Sequence, residues 1–250
     1  PDGAWIDRTG SGGCDCDGTV ALVNKIRRHR GSENPENKIK KISVISVSVA
    51  EKVMISQNMK FLKEEYGFDT VAVREQCLRL AEPLPGKNVL DIGTGSGWMA
   101  IVLAKAGLRV TTVDIDRGAL QRAKERARDE GHEVFGRIRF EFADATDLPY
   151  KDNQFDAVFS FDSMHHMPDC GAVIMEMQRV CKPGGLVAIA DLDEKGLAAV
   201  REVVASGGEN HYENPCRVDV VGNLMRHNVN SSQRHDLEFV TLFINKKMED

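Results

Sequence analysis

The stretch Val89-Leu-Asp-Ile-Gly-Thr-Gly-Ser-Gly97 decides how the rest of the chain is read. Asn88–Ile92 is a short apolar run of strand character, and three glycines at alternate positions follow it. With no Cβ, such a turn bends tightly and lets a ligand lie against the backbone. Beyond it, Gly97–Ala106 reads as a helix ending at Gly107. The free N–H groups and the dipole at its start suit a carboxylate or a phosphate. The turn alone does not name its ligand. The dinucleotide fingerprint G-x-G-x-x-G, started at Gly93 and Gly95, needs a third glycine where Trp98 stands. No lysine follows Gly97, so a Walker-type phosphate loop is excluded as well.

Outward from this turn, strands and helices alternate. Arg109–Val113, Ile138–Phe142, Phe155–Phe159 and Leu186–Ala190 read as further strands. Asp116 stands where it caps a helix over Arg117–Glu130, and a second helix covers Ala172–Val180 before Lys182-Pro-Gly-Gly185 stops it. This alternation predicts an α/β fold, a doubly wound and mostly parallel sheet built from βαβ units. Ligands of such sheets lie outside the carboxyl ends of the strands. After the second strand comes Asp114, an acid able to accept from both hydroxyls of a ribose. After the third comes Asp144-Ala145, where a carboxylate can take the amino group of an adenine. Asp91 repels a pyrophosphate but not a cation. The set describes a pocket for a nucleoside that carries no phosphates.

These residues resemble the motifs of the class I S-adenosylmethionine-dependent methyltransferases. Val89–Gly97 is similar to the family's first motif, and Asp114 to its ribose-binding acid. Ala143-Asp144-Ala145 with Leu148-Pro149 resembles its adenine-contacting segment. Phe155–Ser160 resembles its fourth strand, and Arg179-Val-Cys-Lys-Pro-Gly-Gly185 its "RVLKPGG" turn, with Cys181 in place of leucine. The resemblance spans about residues 70–246 and is nearest to the small-molecule branch that includes the ubiquinone/menaquinone methyltransferases. It implies a Rossmann-like, seven-stranded sheet whose last strand runs antiparallel, and Glu238–Asn245 is apolar enough to be that strand. It implies S-adenosylmethionine as cofactor. Asp91, Gly93, Gly95 and Gly97 would then lie along the methionine portion, Asp114 and Ile115 at the ribose, and Asp144 and Ala145 at the adenine. Ser160 and Phe161 would flank the methyl donor. Methyl transfer from a sulfonium is an in-line displacement, for which positioning alone supplies about 7–11 kcal/mol. A general base is needed only where the nucleophile carries a proton.

The acceptor side is the least determined. His165 and His166, in Met164-His-His-Met-Pro168, follow the fourth strand, and His211 sits in the polar insertion Gly207-Gly-Glu-Asn-His-Tyr212. These three are the candidates for substrate contact. A metal built from His165, His166, His211 and Cys216 has no C-x-x-C or H-x-x-x-H spacing behind it, so no metal is expected. Two other readings stand beside a small-molecule enzyme. One is a non-catalytic regulator that keeps the fold and the cofactor. The other is methylation of protein or RNA, for which the basic segment Lys25–Lys41 is the support.

The 250 residues suffice for one large domain with an appendage, expected as an N-terminal extension over residues 1–50 and a catalytic domain over 51–250. Hydrophobic residues make up 42% and the net charge is −5, which points to an ordinary globular protein without a nucleic-acid partner. No apolar run approaches the roughly 20 residues of a membrane span, and the N-terminus has no secretory pattern. Cys14, Cys16, Cys77, Cys170, Cys181 and Cys216 form no dense framework, so free thiols and a cytoplasmic location are expected. Cys14-Asp-Cys16 lies in a Gly-rich stretch, and no second pair completes a zinc site. Ile42–Val49 alternates like a strand, and two helices broken near Gly67 follow, the second over Thr70–Glu82.

Overall fold

Strand β1 (Asn88–Ile92) lies in the middle of a seven-stranded sheet, with Val89, Leu90 and Ile92 fully buried. A parallel strand covered by helices on both faces requires such a continuous apolar run. The computed structural model describes residues 49–83, 85–206, 211, 213–214, 216–225 and 229–249. The expected N-terminal extension, with Cys14-Asp-Cys16, Lys25–Lys41 and all but the last residue of the strand expected over Ile42–Val49, lies outside the described residues. Val49 itself opens a helix rather than closing a strand.

Two helices precede the sheet, α1 (Val49–Tyr66) and α2 (Thr70–Ala81). Asp69 caps α2, its carboxylate accepting from the amides of Val71 and Ala72 at 3.1 Å each. The buried stripe of α2 is Thr70, Arg74, Cys77 and Ala81. An arginine therefore points inward from a helix whose spacing is otherwise that of a core-facing face.

The sheet continues with α3 (Trp98–Lys105), β2 (Arg109–Asp114), α4 (Arg117–Asp129), the short α5 (His132–Gly136) and β3 (Ile138–Phe142). Then come β4 (Phe155–Phe161), a 3₁₀ turn over Met164–His166, α6 (Cys170–Val180) and β5 (Cys181–Leu192). The chain ends with α7 (Glu194–Ser206), α8 (Val218–Met225), β6 (Val229–Asp236) and β7 (Val240–Lys247). The strand order is β3-β2-β1-β4-β5-β7-β6. The chain leaves β1 toward β3, then returns to lay β4 on the other side of β1. That reversal opens a crevice at the carboxyl ends of β1 and β4. β7 pairs antiparallel with β5 and with β6, and the other pairings are parallel. Successive residues of β1 feed opposite faces of the sheet. Val89 joins the core beneath α2, α3 and α7, and Leu90 and Ile92 join the core beneath α6 and α8.

Several boundaries differ from those read in the sequence. β7 begins at Val240 rather than Glu238, because Leu237–Phe239 make the hairpin turn: the Leu237 amide donates to the Val240 carbonyl, and Phe239 has φ +72°. β5 takes in the Lys182–Gly185 segment, which bulges between the Phe155–Cys181 and Ala157–Leu186 pairings. The insertion after β5 is partly helical, since Leu197, Ala199 and Val203 give α7 an apolar face to bury.

The expectation of free thiols fails at one pair. Cys170, at the start of α6, and Cys216, just before α8, form a disulfide with Cα atoms 5.7 Å apart. The fold brings together positions separated by 46 residues, which spacing cannot reveal. Cys77 and Cys181 are free and buried, and burial pushes both thiols up to about 12. Among the described residues no helix is long and apolar enough to cross a membrane.

Candidate active site

The glycine turn after β1 closes the bottom of the crevice. Gly93 has φ +81°, and a Cβ there would fall 2.5 Å from Ser163 Oγ, on the turn after β4. Gly97 has φ +83°, and its Cβ would fall 2.8 Å from Ala123 Cβ on α4. The first glycine lets the two halves of the crevice meet, and the second lets the turn seat against α4. Arg126 of α4 reaches over, donating to the Ser96 carbonyl and stacking its guanidinium 4.3 Å above the Trp98 ring. The amides of Gly93 and Thr94 both donate to the Val113 carbonyl at 3.0 Å, tying the turn to β2.

Asp91 is 1% exposed and ends a buried chain of hydroxyls. Thr112 Oγ1 donates to Asp91 Oδ2 at 2.7 Å and lies 2.6 Å from Thr94 Oγ1. Asp91 Oδ1 has no partner among the described residues. Burial pushes its pKa up from the ordinary 3.8 to about 7, against the pull of the Thr112 hydrogen bond and the Arg74 charge. Arg74 comes from α2. One guanidinium nitrogen donates to the Thr70 carbonyl at 2.7 Å, another meets Asp162 Oδ2 at 3.3 Å, and the group lies 4.3 Å over the Phe161 ring. Its Nε is buried and unpartnered.

Asp114 follows β2. Its Oδ2 accepts from the Gly95 amide at 2.8 Å and its Oδ1 from the Asp116 amide at 2.9 Å. Burial raises its pKa, and those two backbone bonds oppose the rise. Each oxygen keeps a second lone pair for an outside donor. Ile115 beside it is half-buried. Asp144 makes its own turn after β3: Oδ1 accepts from the Thr146 amide at 2.9 Å and from its hydroxyl at 2.7 Å. Ala145 is half-buried next to it. At the end of β4, Ser160 and Phe161 are buried, with Ser160 Oγ 2.8 Å from Ser163 Oγ. All ten residues read from the sequence as cofactor contacts belong to the carboxyl ends of β1, β2 and β4 or to the turns that follow β1, β2 and β3.

On the other side of Ser163, the 3₁₀ turn carries His165 and His166. His165 Nδ1 lies 2.5 Å from Asp191 Oδ1, and the His165 amide donates to Asp191 Oδ2 at 2.9 Å. Burial works against a charged imidazole here, but the hydrogen bond and charge of Asp191 outweigh it, so the pKa of His165 stands above the ordinary value. Its Nε2 is buried without a partner. His211, from the insertion, packs with its ring centroid 5.2 Å from that of His165 and 5.0 Å from that of His166. Burial, then the neighbouring His165, lower its pKa. The insertion is held there by Asn214, whose amide donates to the His165 carbonyl at 2.6 Å and whose Nδ2 donates to the His166 carbonyl at 2.8 Å.

Arg74, Asp162, Ser163 and Asp191 were missed in the sequence. Asp191 carried a usable signal, since it is the acid that follows an apolar run near a strand's end, much as Asp114 does. The strand read over Leu186–Ala190 stopped one residue short of it. Arg74 shares the helical stripe of Thr70 and Cys77, but an arginine on such a stripe is usually read as a boundary.

Residues 90–189 match a family profile described as a methyltransferase domain. The chain is 43% identical over 135 residues to methyltransferase GfsG of Streptomyces halstedii, covering 53% of this chain and 48% of that protein. It is 42% identical over 139 residues to 27-O-demethylrifamycin SV methyltransferase of Amycolatopsis mediterranei, covering 52% and 50%. The chain thus spans about half the length of these curated relatives. Among solved structures, PH0226 protein from Pyrococcus horikoshii superposes with a TM-score of 0.63 at 19% identity, over 79% of this chain and 98% of that one. The 4+2 cyclase SpnF does so with a TM-score of 0.58 at 17% identity, over 72% and 81%. These two likenesses establish the fold, and a fold does not fix a reaction. Residues 90–189 thus carry the match to a methyltransferase domain, on a sheet of this topology.

Proposed function

We propose that this chain transfers the methyl group of S-adenosylmethionine to a protonated heteroatom, a hydroxyl above all, of a small-molecule acceptor. The cofactor's place rests on the acids of the crevice. Asp114 would offer its remaining lone pairs to the ribose hydroxyls, and Asp144, on the turn after β3, would take the amino group of the adenine. Gly93 and Gly95 let the methionine portion lie against the turn. The orphaned Asp91 Oδ1 and Arg74 Nε are a buried acceptor and a buried donor, matched to an amino acid's ammonium and carboxylate. Asp91, Asp114, Asp144 and Asp162 outnumber Arg74 around this crevice, which favours a cation over a pyrophosphate. When bound, S-adenosylmethionine supplies an electrophilic methyl on a sulfonium.

The single observation that carries the acceptor half is the Asp191–His165 pair. Asp191 fixes the ring and leaves Nε2 buried and, among the described residues, unpartnered on the turn after β4, the strand whose end is read as flanking the methyl donor. A hydroxyl must lose its proton as it is methylated, and this is where such a proton is drawn. The relatives' names point the same way: 27-O-demethylrifamycin SV and demethylmenaquinone are small molecules. Calorimetric titration of S-adenosylmethionine, followed by transfer of a radiolabelled methyl group to a fractionated metabolite extract, tests the proposal. Binding with transfer to a small hydroxylated compound supports it. Binding without transfer to any fraction favours a regulator, and transfer only to protein or RNA refutes the small-molecule reading.

A further inference from the structure

We propose that His165, His166 and His211 hold a divalent transition-metal ion of the zinc, cobalt or nickel type at the acceptor end of the crevice, with Asp191 orienting His165 toward it. One nitrogen from each histidine lies within 4.8 Å of the others. Bonds to such an ion are about 2.0–2.1 Å, so closing the set around it asks each nitrogen to move inward by under about 1 Å. For His165 the ligand atom is Nε2, because Nδ1 is taken by Asp191. That arrangement is the carboxylate–histidine pairing that sets the tautomer and direction of a metal-binding imidazole. His165 is 2% exposed, and its Nε2 and the Nε2 of His211 are both buried with no partner among the described residues. Two buried imidazole nitrogens left unpartnered near each other are costly unless something between them takes their lone pairs.

A second grouping, Asp162, His165 and Asp191, also converges within 4.8 Å, but its carboxylates are occupied. Asp162 pairs with Arg74. The two oxygens of Asp191 accept from the amides of His165 and Leu192 and from the His165 ring. The carboxylates therefore belong to these pairings, and the three imidazoles are the set that converges without them. Nitrogen ligands select ions of the zinc–cobalt–nickel type over magnesium or calcium. Cys216 takes no part, since its sulfur is bonded to Cys170. Spacing could not group these residues, because His211 arrives from a different segment. His166 is exposed, so the ion sits at the rim with room for a further ligand. With the ion bound, His165 Nε2 is a ligand in place of a base, and an acceptor hydroxyl in that position would instead be acidified by the ion. That last step rests on the methyl-transfer reading above, whereas binding of the ion does not.

The test uses the full chain, stripped with chelator, dialysed and loaded with cobalt or zinc. One ion retained per chain is expected, with a cobalt visible spectrum free of thiolate charge-transfer bands. His166→Ala, at an exposed position, and His211→Ala should each abolish retention. Asp191→Asn should weaken it by about 10–100-fold. Titration of S-adenosylmethionine into His166→Ala should match the parent protein. Failure to retain an ion, retention indifferent to both histidine variants, or a thiolate band showing that cysteines hold it would overturn the proposal. An ion bound as described in a protein that fails to bind S-adenosylmethionine would leave the metal site standing and remove the methyl-transfer reading. The converse result would do the opposite.

Discussion

Asp191 grips His165 twice, through the ring nitrogen at 2.5 Å and through the backbone amide at 2.9 Å. Asp191 lies near the end of β5 and His165 on the turn after its neighbour β4, so the ring's direction is set from the sheet. Whether Nε2 draws a proton directly or holds an ion, its orientation depends on this grip. Replacing Asp191 by asparagine should lower methyl-transfer turnover by about 10–100-fold while leaving the affinity for S-adenosylmethionine within error. Steady-state kinetics with calorimetry on the same preparation separate the two quantities. Equal losses in both would show that Asp191 acts on the fold as a whole.

Asp114 should govern the cofactor. Its alanine variant loses the acceptors proposed for the ribose hydroxyls, and hydrogen bonds to a charged group are worth about 1.5–3 kcal/mol each. Calorimetry should show S-adenosylmethionine binding weakened at least about 100-fold. Because Asp114 also ties down Gly95, the far-UV spectrum of the variant must be shown to be unchanged.

Gly93 is the tightest point of the crevice. Gly93→Ala places a Cβ 2.5 Å from Ser163 Oγ at φ +81°, and both the clash and the backbone strain resist it. A loss of about 1–3 kcal/mol in stability and of cofactor binding is expected. Adding Ser163→Gly should recover part of the stability by removing the clash, with the backbone strain remaining. Thermal melts of the single and double variants read the difference. No recovery in the double variant would mean that strain alone accounts for the loss.

Asp91 gives a pH signature. Its folded pKa of about 7 lies above the ordinary 3.8, so the native state keeps the proton longer than the unfolded chain does. Stability of the cofactor-free protein should therefore fall as pH rises from about 4 to about 7, with the full cost present above that range. The charges that bear on it are Arg74, which favours ionisation, and Asp114, which opposes it. Asp91→Asn should flatten the fall and raise the melting temperature above pH 7 by about 2–4 °C per kcal/mol recovered, while weakening cofactor binding. Melting curves across that range provide the check. A parallel pH dependence in both proteins would exclude Asp91 as its source.

The Cys170–Cys216 link closes a loop of 46 residues, which in chain-entropy terms contributes about 4 kcal/mol. A reducing agent should lower the melting temperature, and Cys216→Ser should show the lower value with or without reductant. Peptide mapping without reduction should recover the linked pair.

The sequence by itself determined the strands β1 to β5, the helices that follow β1, β2 and β4, the glycine turn, and the acids Asp114 and Asp144 at or just past the ends of their strands. These are local matters. A strand's apolar run, a turn's glycines and a residue's place just past a strand end lie within a few positions of one another, and the rules of parallel sheets do the rest. The tertiary structure decided what depends on contacts between distant segments. It set Gly93 against Ser163, turned Arg74 inward onto Phe161, joined Cys170 to Cys216, and brought His211 to His165 and His166 with Asp191 behind them. No periodicity encodes those pairings, because each forms only when the packing of α2, α6 and the insertion after β5 closes the crevice.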